Sequence, residues 1–138
     1  MTPVRAQYHF WPGDAGLDAW DVHRLIRLSR GLPVRDVAVS SIKDLDCEYW
    51  FAGSREPATV RKVVEHVRLI AEVDMSHPII LGADGRVMDG MHRVARALLD
   101  GHATIKAVQF ETDPAPDYRN CRPEDLPYAD SATDDPAH

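Results

Sequence analysis

Cysteine is scarce in this chain: Cys47 and Cys121 are the only two among 138 residues. Neither sits at metal-ligand spacing, and two such thiols make no disulfide framework, so each reads as a free thiol in a reducing compartment. Seven histidines are present, yet no His-x-x-x-His pair or Cys-His cluster occurs among them, which argues against a dedicated zinc site. The sequence has no run of eighteen apolar residues, and its opening, MTPVRAQYHFWPGDAG, lacks the continuous apolar segment of a secretory signal. The expectation is a cytoplasmic protein with no membrane partner.

A basic excess is also missing. Net charge is −6, and residues 111–138 hold eight acids against Arg119 and Arg122, leaving fourteen acids and fourteen bases before them. A neutral body with an acidic tail offers little attraction to a phosphate backbone, so DNA is an unlikely partner on charge alone. With 44% hydrophobic and 28% charged residues, the composition is that of one ordinary soluble domain with a single core.

The most informative stretch runs from His77 to Phe110. Pro78 to Leu81 is an apolar run of strand length, Ala83-Asp84-Gly85 is a hairpin turn, and Arg86 to Met88 resumes as strand. At Asp89-Gly90 the apolar period changes from two to about 3.6. Met91, Val94, Ala95, Leu98 and Leu99 then fall on one helical face, ended by Gly101. Thr104 to Phe110 alternates as a further strand beside the hairpin.

His92 and Arg93 occupy the first turn of that helix, where backbone N–H groups lack partners and the macrodipole is positive. A cation there costs about 0.3–1 kcal/mol at an exposed site. An anion held by the free N–H groups, Arg93 and His92 would offset that cost, since a helix start preceded by glycine is a ready phosphate site. Asp89 would then be placed to hold a metal ion or to accept a proton from a hydroxyl. The plainer alternative is a solvated Arg93 with Asp89 capping the helix.

The remaining chain frames this stretch. Residues 1–17, with Pro3, Pro12, Gly13 and Gly16 among Tyr8, Phe10 and Trp11, read as an irregular arm. A helix capped by Asp18 is expected to run to about Arg30 and to be stopped by Gly31. Its His23, Arg24, Arg27 and Arg30 form a basic cluster, more simply a solvated face than an anion patch. Val34 to Ser40 reads as a strand. Trp50 and Phe51 read as anchors to the core, with nucleobase stacking the secondary option. Thr59 caps a helix through about Val73, whose stripe of Val60, Val63, Val64, Val67, Ile70 and Ala71 predicts a core helix. Five of the ten prolines fall after Glu111, which predicts an extended, partly disordered tail in which Tyr118, Leu126 and Tyr128 are the residues able to dock.

The motif DGMHRVARALLDG resembles the signature of the ParB/sulfiredoxin superfamily, in which a strand enters a Gly-x-His-Arg or Gly-x-Arg-Arg turn that opens a helix and holds nucleotide phosphates. The likeness extends over about Val34 to Phe110, taking in Val37-Ala38-Val39 and the Ile42/Leu45 segment. It implies an α+β fold, a small mixed sheet with flanking helices. Residues 1–33 would be an arm and helix packed on a 34–110 body, followed by a 111–138 tail.

The resemblance further implies phosphate binding by Gly90, Met91, His92 and Arg93, with Thr59, Arg61 and Arg96 as additional contacts. Asp89 would bind Mg²⁺ or act on the acceptor, assisted by Asp46 or Glu48 from an acidic segment that faces the nucleotide in related small-molecule kinases. Sulfiredoxin chemistry is excluded, because Met91 stands where the nucleophilic cysteine belongs and a thioether cannot be deprotonated. Chromosome partitioning is disfavoured, since residues 111–138 are too few and too acidic for the DNA-binding and dimerisation domains. Two expectations remain: a kinase-like phosphotransferase or nucleotide hydrolase using ATP, ADP or CTP with Mg²⁺ and a small hydroxyl-bearing substrate, or a non-catalytic regulatory module that binds a nucleotide or other phospholigand.

Overall fold

The computed structural model describes residues 8–51 and 57–127. In chain order the elements are β1 (Tyr8–Pro12), β2 (Leu17–Asp21), α1 (Val22–Ser29), β3 (Arg35–Ala38), α2 (Val60–Glu72), β4 (Ile79–Leu81), β5 (Val87–Asp89), α3 (Met91–Leu99), β6 (Thr104–Gln109) and β7 (Tyr118–Cys121). Short 3₁₀ turns occupy Val39–Ser41, Lys43–Asp46 and Pro123–Asp125. The protein is α+β. Instead of the single domain expected from its length, it has two compact units, one of Leu32–Thr112 and one of Met1–Gly31 with Asp113–His138. Among the described residues no helix is long and apolar enough to cross a membrane.

The unit Leu32–Thr112 is built on a mixed sheet of order β3-β6-β4-β5. β4 and β5 are an antiparallel hairpin, closed where Gly85 (φ 90°) donates its N–H to the Gly82 carbonyl at 2.9 Å. β6 lies parallel to β4, with Ile79 opposite Ala107, and antiparallel to β3. A parallel neighbour requires a crossover, and α3 supplies it. Its buried residues Met91, Val94 and Ala97 join Ile79, Leu81, Val87, Ile105 and Ala107 in one core, with Val39 and Ile42 from the segment after β3. The helix ends as a Schellman turn: Gly101 has φ 75°, its N–H bonds Leu98, and the His102 N–H bonds Ala97.

Two expectations about helix faces fail here. On α3 the buried set is Met91, Val94 and Ala97, while Leu98 and Leu99 are 56% and 73% exposed. The inward face is therefore turned away from the one the leucines suggested, toward the small Ala97. The larger correction concerns α2, which is not a core helix: it has no buried residue at all. Its half-buried positions are Lys62, His66 and Ile70, followed by the C-cap Val73, while Val60, Val63, Val64 and Val67 face out.

In the other unit, β1-β2-β7 form an antiparallel sheet. This replaces the irregular arm with a strand, and converts Leu17, expected at the end of that arm, and Asp18–Asp21, expected to begin a helix, into β2. The helix starts at Val22 because Asp21, not Asp18, accepts the His23 N–H at 2.9 Å. Ala19, Trp20, Val22 and Leu25 are buried, and Trp20 Nε1 donates to the Pro114 carbonyl at 2.7 Å. Arg24 pairs with Asp117 at 3.2 Å, so this residue of the basic cluster is spent on structure. The proline-rich segment is likewise ordered as far as it is described: Tyr118–Cys121 is β7 and Leu126 is buried, while Tyr128 lies outside the described residues.

Candidate functional site at the start of α3

Gly90 is the joint between β5 and α3, and its backbone makes it glycine-specific. At φ 101° and ψ 22° it is left-handed, and a Cβ would stand 2.7 Å from Ile79 Cγ2 and 2.9 Å from Arg93 Nη2. Among the described residues no side chain caps α3, whose i→i−4 ladder begins with the Val94 N–H bonding the Gly90 carbonyl at 3.1 Å. The N–H groups of the preceding turn thus belong to a helix start without a capping oxygen. Asp89 does not take that role.

Asp89 is instead paired with Arg93. Nη2 of Arg93 lies 3.2 Å from Asp89 Oδ2 and 3.3 Å from the Pro78 carbonyl, and both side chains are only 13% exposed. The guanidinium is folded back against the glycine rather than extended into solvent. Its Nε is buried and has no hydrogen-bond partner among the described residues. This guanidinium is a partly satisfied donor at the positive end of a helix.

His92 is placed differently. Its Nε2 is 2.9 Å from His66 Nδ1 on α2, and both imidazoles stack on Trp50, with centroids 4.6 and 4.4 Å from the indole and planes inclined by 16°. The two imidazoles are 5.2 Å apart, too close to lie on opposite faces of the indole, so they share one face. Burial, and then the charge of His66, hold the His92 pKa down at about 4, against the opposing pull of Asp89. His92 is consequently neutral near pH 7, and Arg93 is the cation that its first turn contributes.

The acidic segment before Trp50 also has a different member in contact with the site's frame. Asp44 is buried and its Oδ2 accepts the Val87 N–H at 2.6 Å, while the Tyr49 hydroxyl donates to the Val87 carbonyl at 2.7 Å. β5 is the edge of its sheet, and these two side chains close the outward-facing backbone groups of Val87. Burial, with the nearby carboxylates of Asp44 and Asp89, pushes the Tyr49 phenol up, so it stays protonated and donating. Asp46 and Glu48 are exposed on the same segment.

The additional residues are not gathered at the turn. Thr59 Oγ1 accepts the Lys62 N–H at 3.2 Å and caps α2; Arg61, two residues on, is exposed. Arg96 binds the Ala71 and Ile70 carbonyls at 2.6 and 3.4 Å and Asp100 at 2.8 Å, pinning the end of α2 to α3. The structure therefore brings together Asp89, Gly90, His92 and Arg93 with Trp50 and His66. Trp50 is singled out by the sequence and His66 is not; the available signal for it is the spacing Lys62, His66, Ile70 along α2.

Among the described residues no group of three or more His, Cys, Asp or Glu side chains is arranged to hold a metal ion. Asp89 alone does not make a Mg²⁺ site, and its carboxylate is engaged by Arg93. No protein-family model matches the chain, and neither a curated protein nor a solved structure does.

Proposed function

We propose that this protein binds the phosphates of a nucleotide at the start of α3. The observation that carries the reading is the uncapped helix start at left-handed Gly90 with the Arg93 guanidinium folded against it, its Nε buried and without a hydrogen-bond partner among the described residues. A phosphate oxygen is the complement of such a place: it accepts from backbone N–H groups and from the guanidinium together. The resemblance of the Asp89–Arg93 turn to the ParB/sulfiredoxin-like signature supports the same reading, and so does the mixed sheet that frames the turn. His92, being neutral, would offer a hydrogen bond instead of a charge.

Binding would bring a phosphate into competition with Asp89 for Arg93. In the phosphotransferase form of the proposal the carboxylate so released orients an acceptor hydroxyl. Mg²⁺ would have to arrive with the nucleotide, because the described residues present no cage for it. The Asp89–Arg93 pair also favours a second reading, a non-catalytic phospholigand module, since a carboxylate held at 3.2 Å by a guanidinium is not free to meet an acceptor hydroxyl.

Thermal unfolding with ATP, ADP or CTP tests the binding claim. A nucleotide at 100 times its dissociation constant adds about 2.7 kcal/mol to stability, and Arg93→Ala is expected to remove most of that gain. Absence of any shift with all three nucleotides, or a shift untouched by Arg93→Ala, sinks the proposal. Asp89→Asn then divides its two forms: product formation lost with nucleotide binding kept marks an enzyme, whereas a parent protein without turnover on any acceptor marks the binding module.

A further inference from the structure

We infer that the His66–His92 pair takes up one proton when a phosphate group arrives at the start of α3, so that acidification tightens nucleotide binding. The inference rests on the phosphate reading of that site and adds to it a regulation by pH. His66 Nδ1 and His92 Nε2 are 2.9 Å apart, with ring centroids 5.2 Å apart and planes inclined by 17°, so the two imidazoles meet edge to edge and nearly coplanar. Such a contact needs one N–H and one bare nitrogen. The neutral pair meets that requirement. A pair carrying one extra proton meets it equally, as imidazolium bonded to imidazole, and the bond is then charge-assisted and stronger. A second extra proton would set N–H against N–H and break it. The pair is therefore a one-proton acceptor whose geometry survives loading.

The surroundings suit that role. Both rings lie on the Trp50 indole, at 4.4 and 4.6 Å, within reach of a cation–π attraction that only the protonated form gains. Among the described residues the charges facing His92 are His66 from α2, Asp89 from β5 and Arg93 from its own helix. The next groups along the packed elements are engaged elsewhere: Lys62 with Glu65 at 3.4 Å on α2, and Arg96 with Asp100 and the Ala71 carbonyl. The Tyr49 phenol, edge-on to Trp50, stays protonated. Asp89 and Arg93, 3.2 Å apart, offset one another, so while that ion pair is closed burial keeps His92 neutral down to a pH near 4.

A phosphate upsets that balance. By drawing Arg93 from Asp89 it sets a carboxylate and its own oxygens against a single guanidinium, beside a ring of the same helical turn. An opposite charge within about 4–6 Å moves a titrating group by about one to three pH units, enough to bring His92 toward the range of an ordinary histidine. The proton comes from solvent, and no bond to phosphorus is made or broken. The sign follows by linkage: the bound form holds the proton more tightly, so affinity rises as the pH falls through the bound-state value and levels off below the free one.

Histidine ring resonances of the full chain, followed by NMR from about pH 7.5 to about pH 4 alone and with saturating ATP, ADP or CTP in turn, are the test. The His92 ring, assigned by its loss in His92→Gln, is expected to titrate near 4 without nucleotide and at least about one pH unit higher with it. A smaller rise with nucleotide bound overturns the inference and leaves the phosphate reading standing. No movement of any histidine or amide resonance with all three nucleotides sinks that reading and this inference with it. Affinity gives a second readout. The dissociation constant at about pH 7.5 divided by that at about pH 4.5 includes the nucleotide's own ionisation, which is common to parent and variant. That ratio is expected to be at least about threefold larger in the parent than in His66→Gln with His92→Gln, and equal ratios overturn the inference. Should the double variant fail to fold, the parent's resonances decide.

Discussion

α2 and α3 run side by side in the same direction, and each carries a valine-bearing apolar stripe, yet they treat it oppositely. α3 presses Met91, Val94 and Ala97 into the sheet, whereas α2 buries no residue at all. The cause is connectivity. α3 must carry the chain from the hairpin β4–β5 back to β6, parallel to β4, and a crossover helix has nowhere to lie except on the sheet. α2 precedes the hairpin without that constraint, and it is held by the His66–His92 bond, the Trp50 stack and the Arg96 grip on its last carbonyls. Helical periodicity thus tells which side of a segment is apolar; it does not tell what covers that side.

The strongest way to break α3's role is at its start. Gly90→Ala would place a Cβ 2.7 Å from Ile79 Cγ2 at φ 101°, and strain plus overlap together are expected to cost about 2–4 kcal/mol, measured as a lower urea midpoint at unchanged slope. A loss under about 0.5 kcal/mol would mean that the turn relaxes easily and is not a fixed frame.

A matched pair sharpens the contrast itself. Val94→Ala removes two methyl groups from a site that is fully buried and is expected to cost about 2–3 kcal/mol. Val64→Ala is expected to stay within about 0.5 kcal/mol. Equal losses at the two positions would contradict the difference in burial between the helices.

The smallest effect concerns the imidazole pair that joins them. His92 titrates near 4 when folded, against 6.5 for an ordinary histidine, so the unfolded chain binds more protons between those values. Its contribution is therefore fully present above about pH 6.5 and lost as the pH falls toward 4. Because the ring is partly solvated, the loss is discounted to about 1 kcal/mol. Urea unfolding of the parent and of His92→Gln at pH 7 and pH 4.5 should show the parent losing more; an identical pH dependence in both proteins would remove His92 from the account.

Sequence reading succeeded where the determining forces are local. Thr59 as the α2 cap, Asp84-Gly85 in the hairpin and Gly101 at the end of α3 all act within a few residues of themselves, and so does the turn Asp89 to Arg93. It failed where partners are distant. β1 and β7 lie in proline-bearing segments that read as irregular, and β2 read as the start of a helix, because the pairing of Leu17 with Cys121 and Ala19 with Tyr118 joins segments about a hundred residues apart. The same limit applied within the site. Asp44 is chosen over Asp46 and Glu48 by the outward backbone of Val87, and the neutrality of His92 is imposed by burial beside Trp50 and His66, neither of which any spacing reports.

The strand β7, added to β2 after all the rest, makes the terminal unit discontinuous in sequence, with Leu32–Thr112 inserted between its two segments. During synthesis β1 and β2 emerge first but wait for their third strand until residue 121 has left the ribosome. Arg35 pairs with Ala107, so the inserted unit, once folded, draws its own two ends together and shortens the loop that β7 has to close. A fourfold shortening lowers the closure cost by roughly 1 kcal/mol. The expected order is inside first and edges last, and pulse-labelled hydrogen exchange during refolding would read it as protection of β6 amides ahead of those in β7.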